Sequence, residues 1–556
     1  MKQYFEKYPL AFVTAATFLF IVFSNSAIKD PVFDTEEKKI SFLQITGQYE
    51  AADKAFLKWL DDKPDEMDVH YKYLHNHFRI AEKKKNEKSE NVYRDDRSIR
   101  EYYTLKLTSQ KTEEKDIGFY GLGLLDIMQG DYANALLDFD SVSNRNLKYL
   151  NNSVGYILME RNRSKEAEEM FQKEIAQNGY VAGAYSNLGR LYYKSGDSKK
   201  LGALLANPKA EKYVPVEIRE AYYFRAGNMV QYLREILYET TTHINLFGFL
   251  AALLIMGSWM MYLRRIDLFD PIKWGYVFFA LGGGMFFLFG AYFLTDFINQ
   301  FLHFDLNGKL LNDFFYCVVG IGAVEELVKI IPLLFLIRFT NAANEPYDYI
   351  LYASLSALGF AFVENLKYFD EGSLNIIHGR ALAATVSHMF DSSIIAYGLI
   401  LNRYKRKYNR VLNFLFFFLL AALAHGFYDF WIINKTANAF GLMSIFVLTI
   451  GVSMWDTFLN NALNNSEFFD ENKLLEAPKL RAYLIYSLSA VLLFEYTALS
   501  IKYGPRVADN NLFGSIYGGT YLLIFISSGL SRFKLIKGKW LAFMSFNKNQ
   551  SVTGEK

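Results

Sequence analysis

Ten apolar segments, each long enough to cross a bilayer, constrain the fold of this chain more than any other feature. A helix needs roughly 20 apolar residues to cross about 30 Å of hydrocarbon. Helices satisfy their own backbone hydrogen bonds in lipid. We therefore predict an all-α, polytopic membrane protein with about ten spans, at residues 9–27, 244–263, 274–295, 313–338, 349–366, 381–402, 410–433, 438–456, 482–501 and 512–531.

The basic residues near the ends of these segments predict the topology. Cytoplasmic loops carry an excess of Lys and Arg, and the strongest basic block is 403–410, between the sixth and seventh spans. One alternating arrangement places every basic loop inside the cell. It predicts a multi-pass protein of the cell membrane with both termini in the cytoplasm and residues 30–240 outside it. The first segment has small residues near its end, at 24–27, so it is either a membrane anchor or a cleaved signal peptide.

The polar stretch between the first and second spans has a repeat of 32–34 residues. Small residues recur at Gly123, Gly155 and Gly189, and an aromatic residue follows the first two, at Phe139 and Phe171. Small residues let paired helices approach closely, and the aromatic ring fills the gap between neighbouring repeats. The pattern resembles the tetratricopeptide repeat, degenerate in its outer copies. It implies a groove for a peptide or protein partner, and the alternative is a helical spacer without a ligand.

Composition excludes several classes of protein. The single cysteine, Cys317, lies in an apolar segment and excludes disulfides and a cysteine-rich metal site. The formal net charge is only +2, and no basic patch indicates a nucleic-acid partner.

Two adjacent carboxylates lie within the fourth predicted span. Ionisable groups inside a bilayer cost several kcal/mol, so each one needs a reason. Lys329 follows Glu325 by four residues and Glu326 by three, so it can pair with one of them. The other carboxylate points about 100° away on the helix and needs its own partner. The alternative to a functional site is an ion pair that holds helices together.

The next three spans carry further ionisable residues. Glu364 in the fifth span is, by itself, either an interfacial carboxylate or a site residue. His388 in the sixth span is followed one helical turn later by Asp391, and His425 in the seventh by Asp429. A carboxylate at that spacing can fix the tautomer of the imidazole. At 1.5 Å per helical residue, all these groups can converge in the outer half of the membrane.

Carboxylates and histidines without a serine or cysteine nucleophile signature indicate chemistry on activated water. One route is an open Zn²⁺ site held by His388 and His425 with Glu364 or one of the paired glutamates. The other is a glutamate acting as general base while a histidine donates to the oxyanion. The alternative function is a non-enzymatic membrane scaffold or an ion- or proton-coupled transporter, in which the same residues form a relay or cation site.

The ordered motifs resemble the PrsW family of intramembrane proteases, which is related to the CAAX prenyl endopeptidases and CPBP proteins. The resemblance covers about residues 245–455 and rests on Glu325-Glu326-x-x-Lys329, Phe360-x-x-x-Glu364, His388 and His425-x-x-x-Asp429. It implies hydrolysis of peptide bonds within the membrane by an enzyme classed as a metallopeptidase.

The resemblance also implies roles and a substrate. Glu325 or Glu326 would activate water, Glu364 and His388 would complete the water or metal site, and His425 with Asp429 would support the oxyanion or metal. The typical role of the family, cleavage of a membrane-anchored anti-sigma factor outside the cytoplasm, implies a membrane-anchored protein substrate. The predicted domains are 1–29, a span or signal anchor; 30–240, the repeat domain; 241–460, the protease domain; and 461–556, two further spans and a cytoplasmic tail.

Overall fold

The computed structural model describes residues 2–86, 92–242, 244–369, 374–405, 409–473 and 475–542. Within these ranges every regular element is helical, as the sequence predicts. The chain divides into two compact units, residues 31–239 and the remainder. The remainder, here called the membrane unit, begins with two N-terminal helices, α1 (Lys2–Lys7) and α2 (Pro9–Ala27).

The unit at residues 31–239, here called the helical-pair unit, consists of short antiparallel helices. These are α3 (Glu36–Ile45), α4 (Tyr49–Asp62), α5 (Met67–Asn86), α6 (Val92–Lys106), α7 (Thr112–Gln129), α8 (Tyr132–Asp140), α9 (Leu150–Glu160), α10 (Ser164–Ala176), α11 (Val181–Lys194), α12 (Ser198–Leu205), α13 (Pro208–Glu211), α14 (Val216–Arg225) and α15 (Met229–Thr242).

A left-handed backbone turn joins the two helices of five pairs. The residue at the turn is Gly47 (φ 70°), Gly130 (φ 78°), Asn162 (φ 58°), Gly196 (φ 71°) or Gly227 (φ 70°). Glycine and, less readily, asparagine adopt this conformation at low cost. The last four turns follow one another at intervals close to the period found in the sequence, so the repeat corresponds to a recurring helix pair.

Glycines in the first helix of two pairs receive an aromatic ring from the second helix. A Cβ atom on Gly123 would lie 2.6 Å from the ring of Phe139, and one on Gly155 would lie 2.7 Å from the ring of Phe171. The rings therefore pack against the glycine of their own pair, whereas we expected them to fill the gap between neighbouring repeats. The second helix of a pair is short, and its ring reaches back onto the first.

The rest of the membrane unit contains α16 (Leu246–Ile266), α17 (Trp274–Phe301), α18 (Leu310–Phe315), α19 (Val324–Phe339), α20 (Pro346–Tyr368), α21 (Ile377–Gly379), α22 (Thr385–Ile400), α23 (Arg410–Ile433), α24 (Leu442–Asn464), α25 (Ala477–Tyr503) and α26 (Pro505–Gly529). Three π-helical segments occur, at Tyr316–Ala323, Arg380–Ala384 and Leu401–Lys405, and two 3-10 turns, at Leu374–Ile376 and Ala437–Phe440.

Nine helices of the described chain are long and apolar enough to cross a membrane. They are α2, α16, α17, α20, the helical run 374–405 that contains α21 and α22, α23, α24, α25 and α26. Large apolar side chains on several of them are exposed, as lipid-facing side chains would be, including Phe286, Phe416, Leu419 and Phe446.

The predicted fourth span, 313–338, is not one continuous α-helix. It lies in a helical run from Leu310 to Phe339 in which the π-helical segment Tyr316–Ala323 separates α18 from α19. The α-helix that follows, α19, has 16 residues. The run from Leu310 to Phe339 carries Asp313, Glu325, Glu326 and Lys329 among its apolar residues, and this number of charges is why it is absent from the nine.

Helix α20 is the centre of the membrane unit, and most of its residues are buried. It crosses α17 at almost backbone contact: a Cβ atom on Gly284 would lie 1.9 Å from the carbonyl oxygen of Ser356, and one on Gly359 would lie 2.0 Å from that of Leu281. Small residues permit such close crossings of membrane helices. The crossing fixes α20, and α20 carries one of the predicted site residues near its end.

The two C-terminal helices are joined to the run that contains α22 through a buried carboxylate. Glu495 of α25 accepts hydrogen bonds from the backbone N–H of His378 (2.7 Å) and from its Nδ1 (2.9 Å). Asn511 of α26 donates to the same carboxylate at 2.8 Å. His378 thus lies within a candidate span, although the sequence places only two histidines in spans.

Candidate active site

Four neighbouring segments bring all eight predicted site residues into one buried cluster of ionisable groups, here called the polar cluster. Its members are Glu325, Glu326 and Lys329 from α19, Glu364 from α20, His388 and Asp391 from α22, and His425 and Asp429 from α23.

The ammonium group of Lys329 lies at the centre of the polar cluster. Its Nζ donates to Glu325 Oε2 at 2.9 Å, to Glu326 Oε1 at 3.1 Å and to His388 Nδ1 at 2.8 Å. The prediction that Lys329 pairs with only one glutamate is therefore wrong. The side chains of Glu325 and Glu326 are both long enough to reach the ammonium group, although their Cα–Cβ bonds point in different directions.

The two adjacent glutamates have different surroundings. Glu326 accepts from His425 Nδ1 at 2.9 Å and from Ser392 Oγ at 2.6 Å, and its side chain has no exposed surface. The side chain of Glu325 is 18% exposed. Ser392 was not predicted, because a serine in an apolar helix more often bonds to its own backbone. Glu326 is thus held on several sides, whereas Glu325 keeps an accessible face.

His388 is oriented by contacts at both ring nitrogens. Its Nε2 donates to Glu364 Oε2 at 2.8 Å, while Nδ1 accepts from Lys329. Arg380 donates to Glu364 Oε2 at 2.7 Å and to Asn365 Oδ1 at 2.6 Å. The sequence analysis missed Arg380, which directly precedes the predicted sixth span and resembles an ordinary interfacial arginine. In the sequence, Arg380 stands apart from the basic blocks at the other span ends. This isolation is the signal that could have marked it as a site residue.

Asp391 does not orient the histidine one turn before it. Its carboxylate accepts from Ser387 Oγ at 3.1 Å and lies 4.0 Å from His425 Nδ1 on the neighbouring helix. Its carboxylate lies between Ser387, one turn back on α22, and His425 on α23. Asp429, by contrast, lies 3.3 Å from Nε2 of His425, the histidine one turn before it. His425 therefore has carboxylates at both ring nitrogens.

Three side chains of the polar cluster have the donor types and spacing of a zinc site. Glu325 Oε2 lies 3.5 Å from His425 Nε2 and 4.0 Å from His388 Nδ1, and one ligand atom from each residue lies within 4.8 Å of the others. Tetrahedral ligands about 2.0–2.1 Å from Zn²⁺ are roughly 3.3 Å apart, so small movements would suffice. Glu364, the predicted third ligand, instead contacts the far side of the His388 ring, because Arg380 holds it there.

Tight backbone packing brings α23 to the paired glutamates. A Cβ atom on Gly426 would lie 2.4 Å from the Cα atom of Val318, and one on Gly322 would lie 2.5 Å from the carbonyl oxygen of Ala422. Two π-helical segments directly precede helices of the site: Tyr316–Ala323 leads into α19 and Arg380–Ala384 into α22. Such π segments are frequent at functional sites because they reposition the side chains that follow.

Known proteins resemble the chain over the segment that holds the polar cluster. Residues 271–454 match the model of a family described as PrsW family intramembrane metalloprotease. The chain is 29% identical over 169 residues to Protease PrsW of Geobacillus kaustophilus, covering 30% of this chain and 72% of that protein. It is 30% identical over 146 residues to Protease PrsW of Oceanobacillus iheyensis, covering 26% and 66% respectively.

A third relative, Protease PrsW of Clostridioides difficile, is 27% identical over 176 residues, which cover 30% of this chain and 73% of the relative. No solved structure matches the chain significantly. The matched segment 271–454 contains every member of the polar cluster. Residues 271–454 therefore form a domain of the PrsW family of intramembrane proteases.

Proposed function

We propose that this membrane protease hydrolyses a peptide bond near the membrane-spanning segment of an anchored protein, and that Glu325 activates the attacking water. The difference between the two glutamates carries the proposal. Glu325 is partly exposed, while Glu326 is fully buried and hydrogen-bonded by three side chains. A general base must reach the water whose proton it takes.

In the proposed reaction Glu325 accepts a proton from water as the water oxygen attacks the scissile carbonyl carbon. The carbonyl oxygen then becomes negatively charged. His425 is protonated at both nitrogens, and Glu326 holds its ring by accepting from Nδ1. The Nε2–H, which faces Asp429 at 3.3 Å in the absence of substrate, donates instead to the oxyanion. When the C–N bond breaks, Glu325 returns its proton to the leaving amine. A donor fixed before reaction in a dry site is the usual source of such stabilisation.

The remaining members of the polar cluster position these groups. Lys329 balances the charge of the two glutamates and fixes their separation. Arg380 and Glu364 hold the ring of His388 beside the reacting atoms. Hydrogen-bonded partners of this kind determine the orientation of the residues that contact substrate.

A metal-assisted form of the reaction uses the same residues. Glu325, His388 through Nδ1 and His425 through Nε2 would hold a zinc ion, and the ion would supply Lewis-acid activation. The hydrogen bond from Lys329 to His388 Nδ1 would then be released, and Glu326, held by Ser392, would remain as the neighbouring carboxylate.

Cleavage by the purified, full-length protein in lipid vesicles tests this proposal. The probes are single-span fusion proteins with varied juxtamembrane segments. We expect Glu325→Gln to fold and to lower the rate by at least about 10²-fold, while Glu471→Gln, an exposed control, stays at the wild-type rate. Cleavage at the wild-type rate by Glu325→Gln would contradict the role of Glu325. Loss of cleavage on chelation and its return with Zn²⁺ would identify the metal-assisted form, and insensitivity would identify the metal-free form.

We further propose that both termini lie in the cytoplasm and that the helical-pair unit lies outside it. The supporting observation is the distribution of Lys and Arg at the span ends; part of the strongest block, residues 406–408, falls outside the described ranges. A tetratricopeptide-like unit on that side would bind a peptide segment of the substrate or of a regulator. A membrane-anchored regulator resembling an anti-sigma factor fits this arrangement.

A further inference from the structure

A second cluster of buried carboxylates lies outside the polar cluster. It is formed by Asp267, which directly follows α16, by Glu345, which directly precedes α20, and by Asp348 in the first turn of α20. One carboxylate oxygen from each residue lies within 4.8 Å of the other two. The three side chains come from two connecting segments and converge where α20 begins; they are called the acidic triad below.

Each carboxylate of the acidic triad has one oxygen in use and one without a partner. Asp267 Oδ2 accepts from Arg264 (2.6 Å) and from the backbone N–H of Ile272 (2.9 Å). Asp348 Oδ2 accepts from the backbone N–H groups of Asn344 and Glu345, at 2.8 and 2.9 Å.

Glu345 Oε2 accepts from Ser466, and the backbone N–H groups of Asp348 and Asp270 also face the Glu345 carboxylate. The second oxygens, Asp267 Oδ1, Glu345 Oε1 and Asp348 Oδ1, are buried and have no hydrogen-bond partner among the described residues. The three residues are 4%, 0% and 0% exposed. Buried polar atoms in native proteins almost always have partners, so three orphaned oxygens in one cluster indicate a missing ligand.

The charge of the acidic triad also requires a partner. Within the described chain, the only ion pair to its three carboxylates is the one from Arg264 to Asp267. Asp270 adds a fourth acidic group nearby, where it accepts from Asn344. Uncompensated buried charge costs several kcal/mol per ion, so either protons or a cation must neutralise these groups near neutral pH.

We propose that the acidic triad binds one hard divalent cation, Mg²⁺ or Ca²⁺. Both ions prefer carboxylate oxygens, and neither needs a nitrogen or sulfur ligand. The cation would join the segment after α16 to the beginning of α20 and, through Ser466, to the segment after α24. Since α20 also carries Glu364, the site would stabilise the central helix from the end opposite the polar cluster. It is separate from the zinc-type set formed by Glu325, His388 and His425.

The test uses the full-length protein in nanodiscs, stripped with a chelator and titrated with Mg²⁺ or Ca²⁺ while thermal unfolding is followed. We expect a saturable rise in the unfolding temperature of roughly 5 °C and one retained ion per chain. The ion that acts at the lower concentration is the preferred one. A His388→Ala variant should keep the full response, because the two sites share no ligand. The matched control is Glu471→Gln, an exposed acid in the segment between α24 and α25.

The double variant Glu345→Gln with Asp348→Asn distinguishes a cation site from a merely structural cluster. We expect it to lose the cation response and, in chelator, to unfold at or above the temperature of the wild type, because two uncompensated charges are gone. A cation response equal to that of the wild type would overturn the proposal, as would a wild type without a response. If the double variant does not fold, Tb³⁺ replaces Ca²⁺ as the probe in the wild type.

The Tb³⁺ experiment relies on Trp274, whose ring centroid lies 5.1 Å from the guanidinium carbon of Arg264, next to the acidic triad. We expect sensitised Tb³⁺ emission that Ca²⁺ displaces and that Trp274→Phe abolishes. Emission that Ca²⁺ does not displace, or no emission, would overturn the proposal.

Discussion

At the scale of single residues, the surroundings of each ionisable group separate a reacting side chain from one that positions it. Glu325 and Glu326 are chemically identical and adjacent, yet only Glu326 is enclosed by Lys329, Ser392 and His425. Breaking a buried ion pair by removing one partner costs about 3–5 kcal/mol. Substitution of Glu326 should therefore destabilise the fold more than substitution of Glu325, whose ion pair with Lys329 is partly exposed.

Arg380 offers a test of a positioning role. Arg380→Gln removes the ion pair to Glu364 and the hydrogen bond to Asn365, so the ring of His388 loses its fixed partner. We expect kcat to fall about 10–100-fold with a smaller change in KM, and Arg380→Lys to restore part of the loss. The measurement is cleavage kinetics in vesicles. Arg338→Gln, an exposed arginine at the end of α19, is the control; equal kcat for Arg380→Gln and the control would contradict the role.

His70 predicts how the stability of the helical-pair unit depends on pH. Its buried ring donates from Nε2 to the carbonyl of Pro64 (2.9 Å) and accepts at Nδ1 from Tyr103 (3.1 Å). Burial lowers its pKa from 6.5 to about 4. The unfolded chain therefore takes up the proton first, and stability is lost as the pH falls from 6.5 to 4, by up to about 3 kcal/mol.

Urea unfolding of the full-length chain, followed by a probe in the helical-pair unit at pH 7 and pH 4.5, measures this effect. In His70→Gln the difference between the two pH values should shrink by most of that amount. An unchanged difference would show that other groups cause the pH dependence.

The proximity of these eight ionisable residues could be predicted from the sequence, but their individual partners could not. Ionisable residues in apolar helices stand out because the bilayer penalises them, and all eight predicted residues lie in one cluster. Which carboxylate faces which histidine depends on helix rotation and on π-helical segments. For that reason Asp391 faces His425 instead of His388. Glu325 lies within 4.0 Å of both rings, whereas Glu364 contacts His388.

At the scale of helices, the close crossing of α17 and α20 sets the position of the site. Gly284→Ala would place a Cβ atom 1.9 Å from the carbonyl oxygen of Ser356, so the two helices must separate. Gly282 lies on the same helix, and nothing approaches within 4 Å of its Cβ position. We expect Gly284→Ala to lose several °C in unfolding temperature and most activity, and Gly282→Ala to stay close to the wild type or rise slightly. Equal behaviour of the two variants would contradict the crossing.

Span prediction agrees with the structure wherever few ionisable residues interrupt an apolar run. Nine of the ten predicted segments correspond to helices that are long enough to cross a membrane. The exception, 313–338, contains the π-helical segment Tyr316–Ala323 directly before the paired glutamates. That segment is composed of ordinary apolar and small residues, so no sequence pattern distinguishes it from an α-helix.

At the scale of the whole molecule, the topology can be tested with single thiols. The only native cysteine, Cys317, is buried. Labelling of an introduced cysteine can therefore be measured without first replacing Cys317. If the helical-pair unit lies outside the cytoplasm, a membrane-impermeant maleimide will label Ser198→Cys in intact cells and label Glu471→Cys only after the membrane is permeabilised. The reverse pattern would invert the proposed topology and the side of the membrane on which substrate is recruited.

The role of Glu325 is tested in cells by comparing new protein N-termini in membranes that contain wild type, Glu325→Gln or the control Glu471→Gln at equal levels. We expect specific juxtamembrane N-termini with wild type and Glu471→Gln that are absent with Glu325→Gln. These N-termini would identify the substrate. N-termini that persist unchanged with Glu325→Gln, at rest and under stress, would contradict the claim that Glu325 activates water for intramembrane proteolysis.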